Sequence, residues 1–291
     1  MERGGAMKLL VTDPTLGVWE KKEAGAKRLP YFSNWPCSPC SNTELAAFCC
    51  GDHRECICLQ RRNWEIFSRI PCLPGTVSMC FSLCGRFLYQ LSSEADCIHT
   101  RSVHNGELLF AAPTGVFPRY MMLDEAGKNL LVAGGAIAEV YLLSAPELIC
   151  EKVIFTRHPC FAAAFWRKGL VLMCAEEGED IQSVFYTMPL HGVRPQHLLT
   201  LPGIPGAICV CPDGLHMLAS TCEGLLKIDL QTGTLLWNDS QWASCMRIEC
   251  DKQYALISAT MDGKVCLMNH EKPWERRILF QGYQAESCFL K

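Results

Sequence analysis

The sequence lacks a strong excess of charge of either sign, and it lacks long apolar runs. Lys and Arg number 27 and Asp and Glu number 30, which gives a net charge of −3. Nucleic-acid binding depends on a basic surplus that neutralises phosphates, so this composition argues against nucleic acid as a partner. Apolar runs such as residues 160–166 are too short to cross a bilayer, which argues against a membrane partner as well.

The N-terminal segment lacks the features of an export signal. Its apolar run at residues 9–12 stops at Asp13 and Pro14, whereas a secretory signal needs a longer run followed by small residues. We therefore expect a cytoplasmic protein in which the first six residues form a poorly ordered extension ahead of Met7.

The motifs of common enzyme classes are also missing. The chain has no G-x-S-x-G nucleophile motif, no P-loop and no dinucleotide-binding fingerprint. No cofactor is therefore predicted. The chain does have enough apolar material for a large core, since 49% of its residues are hydrophobic.

Cysteine is abundant, with 20 residues in the chain. Dense disulfides belong to small secreted domains, and this chain has neither the size nor the export signal of one. Many of the cysteines stand inside apolar runs, for example at residues 48–50, 56–58 and 207–211. We expect them to be reduced thiols that act as small buried hydrophobic side chains.

A repeat of about forty residues organises the chain. Its clearest copy, residues 207–240, reads as four short strands separated by turns, and no long amphipathic helical stripe interrupts the pattern. Successive copies of the first turn are spaced by 42, 42, 45 and 38 residues, at Gly85, Gly127, Gly169, Gly214 and Lys252. Four short strands at this period are typical of the blades of a β-propeller.

The repeat predicts an all-β fold that occupies residues 1–291 as a single domain. Five blades cover residues 76–114, 115–157, 158–203, 204–240 and 241–283, and a further blade precedes them with its innermost strand near residues 35–40. The C-terminal segment 285–291 then reads as an innermost strand without a blade, and the N-terminal segment reads as three strands without an innermost partner. Joined, they complete a seven-bladed ring of four-stranded antiparallel blades and remove two exposed edges.

The segment DLQTGTLLW resembles the D-x-x-T-G-x-x-x-W segment of quinoprotein-like repeats. Asp229, Thr232, Gly233 and Trp237 carry this resemblance, and the Gly-His and Trp-Asp dipeptides of WD40 repeats are absent. The chain is thus similar to the quinoprotein-like and YVTN-type (WD40-like) seven-bladed propellers. The resemblance implies the fold, with the Thr-Gly pair at a tight turn and the Trp packed between blades. It does not imply the quinone cofactor, since the quinone enzymes are exported and hold calcium.

Propellers bind ligands where loops converge around the central channel. The loops that lead into the innermost strands contain aromatic and charged residues suited to a small anionic ligand or a peptide tail. These binding-face candidates are Trp35, Arg119, His158, Trp242, Tyr283 and Glu286. The alternative is that each of them is an ordinary loop residue at the rim of the channel.

The pair Cys37 and Cys40 forms a C-x-x-C motif, which can be a redox pair or half of a metal site. Cysteines three apart on an extended strand point to opposite faces, although Pro36 and Pro39 could bend the segment. There is no second motif at zinc spacing. Structural thiols are the preferred interpretation, and a metal or redox site at this pair is the alternative.

Three functions therefore remain at the sequence level. The first is a non-enzymatic module that offers one loop face to a protein or peptide partner, with a small-molecule ligand as a further option. The second is a lactonase-like hydrolase, in which Arg119, His158 and Glu286 would polarise an ester and position water. The third is a thiol-based metal or redox site at Cys37 and Cys40.

Overall fold

A computed structural model describes residues 7–22, 25–31, 39–50, 54–134, 137–167, 169–258, 260 and 262–290. In this part of the chain, 28 strands form seven four-stranded antiparallel sheets, and the only helix is a short 3₁₀ turn at Ser240–Trp242. The predicted all-β, seven-bladed ring is confirmed. None of the described helices is long and apolar enough to span a membrane.

The blades are numbered around the ring from the one that contains the N-terminal strand. Blade 1 holds β1 (Lys8–Asp13), β2 (Gly17–Lys22), β3 (Gly25–Arg28) and, as its innermost strand, β28 (Glu286–Phe289). Blade 2 holds β4 (Cys40–Ser41), β5 (Leu45–Cys50), β6 (Glu55–Gln60) and β7 (Ile66–Pro71). Blade 3 holds β8 (Thr76–Phe81), β9 (Phe87–Ser92), β10 (Cys97–Ser102) and β11 (Leu108–Pro113).

The remaining blades follow the same order, from the innermost strand to the outermost. Blade 4 holds β12 (Tyr120–Leu123), β13 (Asn129–Ala133), β14 (Glu139–Ser144) and β15 (Cys150–Phe155). Blade 5 holds β16 (Cys160–Trp166), β17 (Gly169–Glu176), β18 (Gln182–Pro189) and β19 (Gln196–Pro202). Blade 6 holds β20 (Pro205–Val210), β21 (His216–Thr221), β22 (Gly224–Asp229) and β23 (Leu235–Asp239), and blade 7 holds β24 (Arg247–Cys250), β25 (Tyr254–Ser258), β26 (Lys264–Asn269) and β27 (Arg276–Gln281).

The two ends of the chain close the ring in blade 1. Strand β28 pairs antiparallel with β1, and Leu10 lies opposite Cys288. The shared blade predicted from the two incomplete ends is therefore confirmed. The outermost strand of blade 1 ends at Arg28. Beyond it, the Leu29 N–H donates to the Val18 carbonyl at 2.8 Å and the Tyr31 carbonyl accepts from the Val18 N–H at 3.2 Å, on either side of Pro30.

The core lies between the blades rather than in one central mass. Seven clusters of buried apolar side chains are present, and each joins two neighbouring blades. Strand β5 shows how a sequence achieves this, since Ala46 and Phe48 face blade 1 while Ala47 and Cys49 face blade 3. A strand covered on both faces reads as a continuous apolar run, which explains why the middle strands of the blades do not alternate with polar residues.

Cysteine contributes to this packing. Thirteen of the nineteen described cysteines are buried, and each of these is a free thiol. Trp237, from the quinoprotein-like segment, packs against the cluster between blades 6 and 7. In the same segment Asp229 Oδ1 accepts hydrogen bonds from the backbone N–H groups of Gln231 and Thr232, and Gly233 takes a φ of 71° at the tight turn. Both structural roles implied by the resemblance are confirmed.

Candidate functional site

The innermost strands surround a cavity of about 1580 Å³. Its lining extends from loops that precede the innermost strands to turns that follow them, so the cavity passes between the two faces of the ring. Its volume exceeds that of ordinary small-ligand pockets, which are about 300–1,000 Å³. Every blade contributes to the wall, and one residue from each innermost strand, in chain order, is Ser41, Cys80, Met122, Phe161, Val210, Glu249 and Cys288.

An ion pair between Arg247 and Glu249 lies in this wall. The two residues are two apart on β24 and therefore share one face of the strand. Arg247 donates to Glu249 Oε1 from both Nη2 at 2.6 Å and Nε at 3.1 Å, and its Nη2 also donates to the carbonyl of Pro39 at 2.6 Å. The other carboxylate oxygen of Glu249 accepts from the backbone N–H of Phe289 at 3.1 Å. The pair thus ties blade 7 to the innermost strand of blade 1 and to the start of blade 2.

Electrostatics keep this guanidinium charged. Burial lowers the pKa of Arg247, but the carboxylates of Glu249 and Glu286 and the thiol of Cys288 raise it by more, so the net pKa is raised. Tyr120 also lines the cavity, and burial is the main cause of its raised phenol pKa. The wall therefore presents a positive charge that is paired with Glu249 and influenced by Glu286, together with a neutral phenol at Tyr120.

Two of the six binding-face candidates line the cavity. Arg119 is exposed ahead of β12, with its guanidinium carbon 5.3 Å from the centroid of the Phe161 ring, a cation–π contact. Glu286 is only 6% exposed, at the start of β28. Both stand near the ends of the innermost strands where the chain enters the blades.

The other predicted residues lie elsewhere. His158 does not line the cavity, and its Nε2 lies 3.4 Å from Glu176 Oε1. Trp242 is 7% exposed and belongs to the core between blades 6 and 7, whereas Tyr283 is 66% exposed in the loop before β28. Trp35 lies outside the described residues. The structure thus brings Arg119 and Glu286 to the cavity and leaves His158 apart from them.

Of the two cysteines in the C-x-x-C motif, one lies within the described residues. Cys37 lies outside the described residues, so the C-x-x-C pair stays a prediction. Cys40 is buried in the cavity wall, where burial and the neighbouring Cys288 raise its pKa well above the ordinary value. Among the described residues, no group of three or more His, Cys, Asp or Glu side chains is placed to hold a metal ion.

One face of the ring carries the loops that lead into the innermost strands and the turns between the second and third strands; we call it the entry face. Its described loops contain seven carboxylates and only three Arg side chains. Of the seven carboxylates, only Asp262 forms a described ion pair, with Lys264. The carboxylates are Glu94, Asp96, Glu177, Glu179, Asp180, Glu223 and Asp262.

The same entry face exposes large apolar side chains. Phe117, beside the cavity, is 59% exposed and has a φ of 54°, in the left-handed region that bulky residues rarely adopt. Asp96 Oδ1 holds this conformation by accepting from the Phe117 backbone N–H at 2.8 Å. The exposed apolar residues of the face are Leu16, Val116, Phe117, Ile181, Ile204, Met246 and Tyr283.

Sequence reasoning missed the pair Arg247 and Glu249. A signal was present, because an Arg and a Glu two residues apart at the start of a predicted innermost strand are unusual in an element with little access to solvent. Phe117 was missed too, since nothing in its neighbours predicts a left-handed backbone at an aromatic residue.

No protein-family model matches the sequence, and no curated protein matches it. Solved structures do match. A protein from Lactobacillus plantarum has a TM-score of 0.77 at 11% identity, with 98% of this chain and 100% of that chain covered. Kuenenia stuttgartiensis hydrazine synthase has a TM-score of 0.69 at 12% identity, with 85% of this chain and 81% of that chain covered.

The β-propeller domain of Myceliophteria thermophila Cps50 (Swd1) gives a TM-score of 0.57 at 15% identity, with 70% of each chain covered. Identities this low show the fold alone. The chain is a seven-bladed β-propeller, the architecture that the quinoprotein-like and YVTN-type resemblance implied. Because one of these neighbours is named as an enzyme and propellers serve varied roles, function has to be argued from the site.

Proposed function

We propose that this propeller is a binding module whose entry face holds a polypeptide segment of a partner protein. The observation that carries the proposal is the joint presence of exposed apolar side chains and largely unpaired carboxylates on that face. Exposed apolar side chains gathered on one face are a feature of interaction surfaces in soluble proteins. The segment best suited to it combines basic and aromatic or aliphatic residues.

Phe117 supports this proposal most directly. Backbone strain of this kind costs about 1–3 kcal/mol and persists where the surroundings fix it, often at binding sites. Here an aspartate side chain holds the strained residue, and the result is an aromatic ring exposed to solvent at the edge of the cavity. Such a ring is a suitable anchor for an apolar side chain of the partner, next to the cation–π pair of Arg119 and Phe161.

The hydrolase alternative receives less support. It needs Arg119, His158 and Glu286 around one cavity, and His158 instead faces Glu176 outside the lining. A binding role needs no such convergence, because separate loops can contact successive residues of an extended segment.

A random peptide library selected against the purified protein tests the proposal. We expect enrichment of Lys and Arg together with aromatic residues, and affinities that fall as salt is raised, since surface charges are screened beyond about 8 Å at physiological ionic strength. Calorimetry on selected peptides then compares two matched triple variants. Glu177→Lys, Glu179→Lys and Asp180→Lys change one exposed entry-face turn, whereas Glu107→Lys, Glu147→Lys and Glu271→Lys change exposed positions on the opposite face.

The entry-face variant should weaken binding by about tenfold or more, and the opposite-face variant by less than about twofold. The reverse order, or selection of peptides without basic residues, would overturn the proposal.

A further inference from the structure

Two buried thiols in blade 2 lie in contact. Cys49 is on β5, and Cys72 follows β7 in the loop that leads to β8. Their Sγ atoms are 3.3 Å apart, across a separation of 23 residues in the chain. Cys49 is 0% and Cys72 8% exposed. A disulfide bond is about 2.05 Å long, so closing it requires these sulfur atoms to approach by only about 1.3 Å.

The surroundings of Cys72 favour its thiolate. The hydrogen bond from Cys49 has the largest effect and lowers the pKa of Cys72; burial raises it, and the charge of Arg101 lowers it, so the net pKa is lowered. The Thr76 hydroxyl lies 3.4 Å from Cys72 Sγ, and the Met79 sulfur lies 3.8 Å from Cys49 Sγ. Cys72 is thus suited to be the reacting thiolate, with Cys49 as its proton donor.

In a second thiol pair of the ring, the surroundings disfavour the thiolate. Cys160 and Cys174 are cross-strand partners in blade 5, and both are 0% exposed. Their mutual hydrogen bond and their burial raise the pKa of Cys160 well above the ordinary value. The two pairs therefore share contact and burial but differ in thiolate character, which makes the blade 5 pair a natural internal control.

We propose that Cys49 and Cys72 form a reactive dithiol that hydroperoxides convert into an intramolecular disulfide. The Cys72 thiolate attacks one oxygen of hydrogen peroxide, the O–O bond breaks, and the departing hydroxide takes a proton to become water. Cys72 is then a sulfenic acid. Cys49 sulfur attacks the Cys72 sulfur, the S–O bond breaks, and the hydroxide leaves as water with the Cys49 proton. In total, two thiols and one peroxide give one disulfide and two waters, and a dithiol reductant reverses the change.

The bond would link the second strand of blade 2 to the loop at residues 72–75, which lies on the entry face. Closing a covalent loop restricts the unfolded chain, so oxidation should raise the thermal unfolding midpoint of the intact protein. This effect is independent of whether the entry face binds a peptide.

The test treats the full-length protein with hydrogen peroxide, blocks remaining thiols with iodoacetamide and maps the tryptic peptides by mass spectrometry. We expect residues 29–54 joined to residues 70–86, with the loss of two hydrogen atoms, and fragmentation that places the bond at Cys49 and Cys72 rather than at the neighbouring cysteines. Alkylation of both Cys49 and Cys72 after treatment, or a bond to Cys50 instead, would overturn the proposal.

Cysteine variants distinguish a reactive dithiol from two thiols that only pack together. In Cys49→Ser the second step is blocked while a hydroxyl donor stays beside Cys72, so dimedone should trap a sulfenic acid on Cys72. In Cys72→Ser the linked peptides should disappear, whereas in Cys160→Ser they should form at the wild-type rate. An absence of dimedone adduct on Cys72 in folded Cys49→Ser, judged by its circular dichroism, counts against the proposal.

Discussion

The backbone N–H of Tyr283 donates a hydrogen bond of 2.7 Å to Asp13 Oδ2, and this bond links the loop before β28 to the end of β1. Asp13 is fully buried at the end of β1, and its Oδ2 also accepts from the backbone N–H of Gln284 at 3.3 Å. Its Oδ1 accepts from the N–H groups of Thr15 and Leu16 in the following turn. One carboxylate therefore fixes both the turn after β1 and the loop that delivers β28 to it.

Replacing this carboxylate should weaken ring closure. In Asp13→Ala the four backbone donors lose their acceptor, and we expect the free energy of unfolding to fall by about 2–4 kcal/mol. Urea unfolding followed by tryptophan fluorescence measures the change. Asp251→Ala is the matched control, because Asp251 accepts two N–H groups within its own turn but contacts neither terminus, and it should cost about 1 kcal/mol. Equal losses in the two variants would contradict a closing role for Asp13.

Circular permutants can compare two ways of closing the ring: strand pairing within a shared blade, and side-chain packing between two complete blades. The termini can be joined by a short linker, since the N–H of Leu290 donates to the carbonyl of Lys8 at 2.9 Å. New ends at Val193, an 89% exposed loop residue between β18 and β19, keep one blade shared between the termini. New ends at Ile204, between blades 5 and 6, leave every blade continuous and the ring closed only by side chains.

We expect the Val193 permutant to unfold cooperatively with a stability near that of the wild type, and the Ile204 permutant to be less stable by about 1–3 kcal/mol, because its closing interface has no strand pairing. Thermal unfolding by calorimetry compares them. If the Ile204 permutant is the more stable of the two, the shared blade is not what secures the ring.

The Arg247–Glu249 pair should be strongly coupled. Glu249→Ala removes the carboxylate that accepts from the partly buried Arg247 guanidinium and from the Phe289 N–H, so we expect a loss of about 2–3 kcal/mol. The double variant Arg247→Met with Glu249→Leu should recover most of it, since it removes both charges together. A double-mutant cycle of Arg247→Met, Glu249→Leu and the double variant, measured by chemical denaturation, gives the coupling energy, and additive losses would show that the pair does not act as a unit.

Alkylation by iodoacetamide should distinguish thiols by their ionisation. Burial is the main cause that raises the pKa of Cys288 to about 12, so at pH 8 almost all of it is protonated and it should react only after unfolding. Cys84 is exposed; its slight burial raises its pKa, but Ser82 and Arg86 lower it by more. Cys84 should therefore react first in the native protein, about tenfold more slowly for each pH unit below its pKa. Mass spectrometry of timed samples identifies the labelled peptides, and early labelling of Cys288 would contradict its assigned burial.

Most of the fold could be predicted because a propeller repeats its pattern. Turns at Gly85, Gly127 and Gly214 recur at nearly constant spacing, and each marks the same place in its blade. The N-terminal segment lacks an innermost strand and the C-terminal segment supplies only that strand, so the pattern required a shared blade, which β28 and β1 provide.

The site could be predicted much less well, because its geometry depends on contacts between blades. Arg119 and Glu286 reach the cavity, since both stand at the start of innermost strands, where the repeat places channel residues. Trp242 has the same kind of position, but the 3₁₀ turn at Ser240–Trp242 directs it into the core. No spacing rule connects Cys49 with Cys72 either, since their contact depends on how a loop folds back over its own blade.

The position of β28 has a consequence for biosynthesis. Its residues are translated long after β1, and until they leave the ribosome the inner edge of β1 has no strand to pair with. Neighbouring blades can pack as they emerge, but the ring stays open throughout, and an open strand edge readily captures other chains. We therefore expect the nascent protein to depend on molecular chaperones until β28 has emerged and paired with β1.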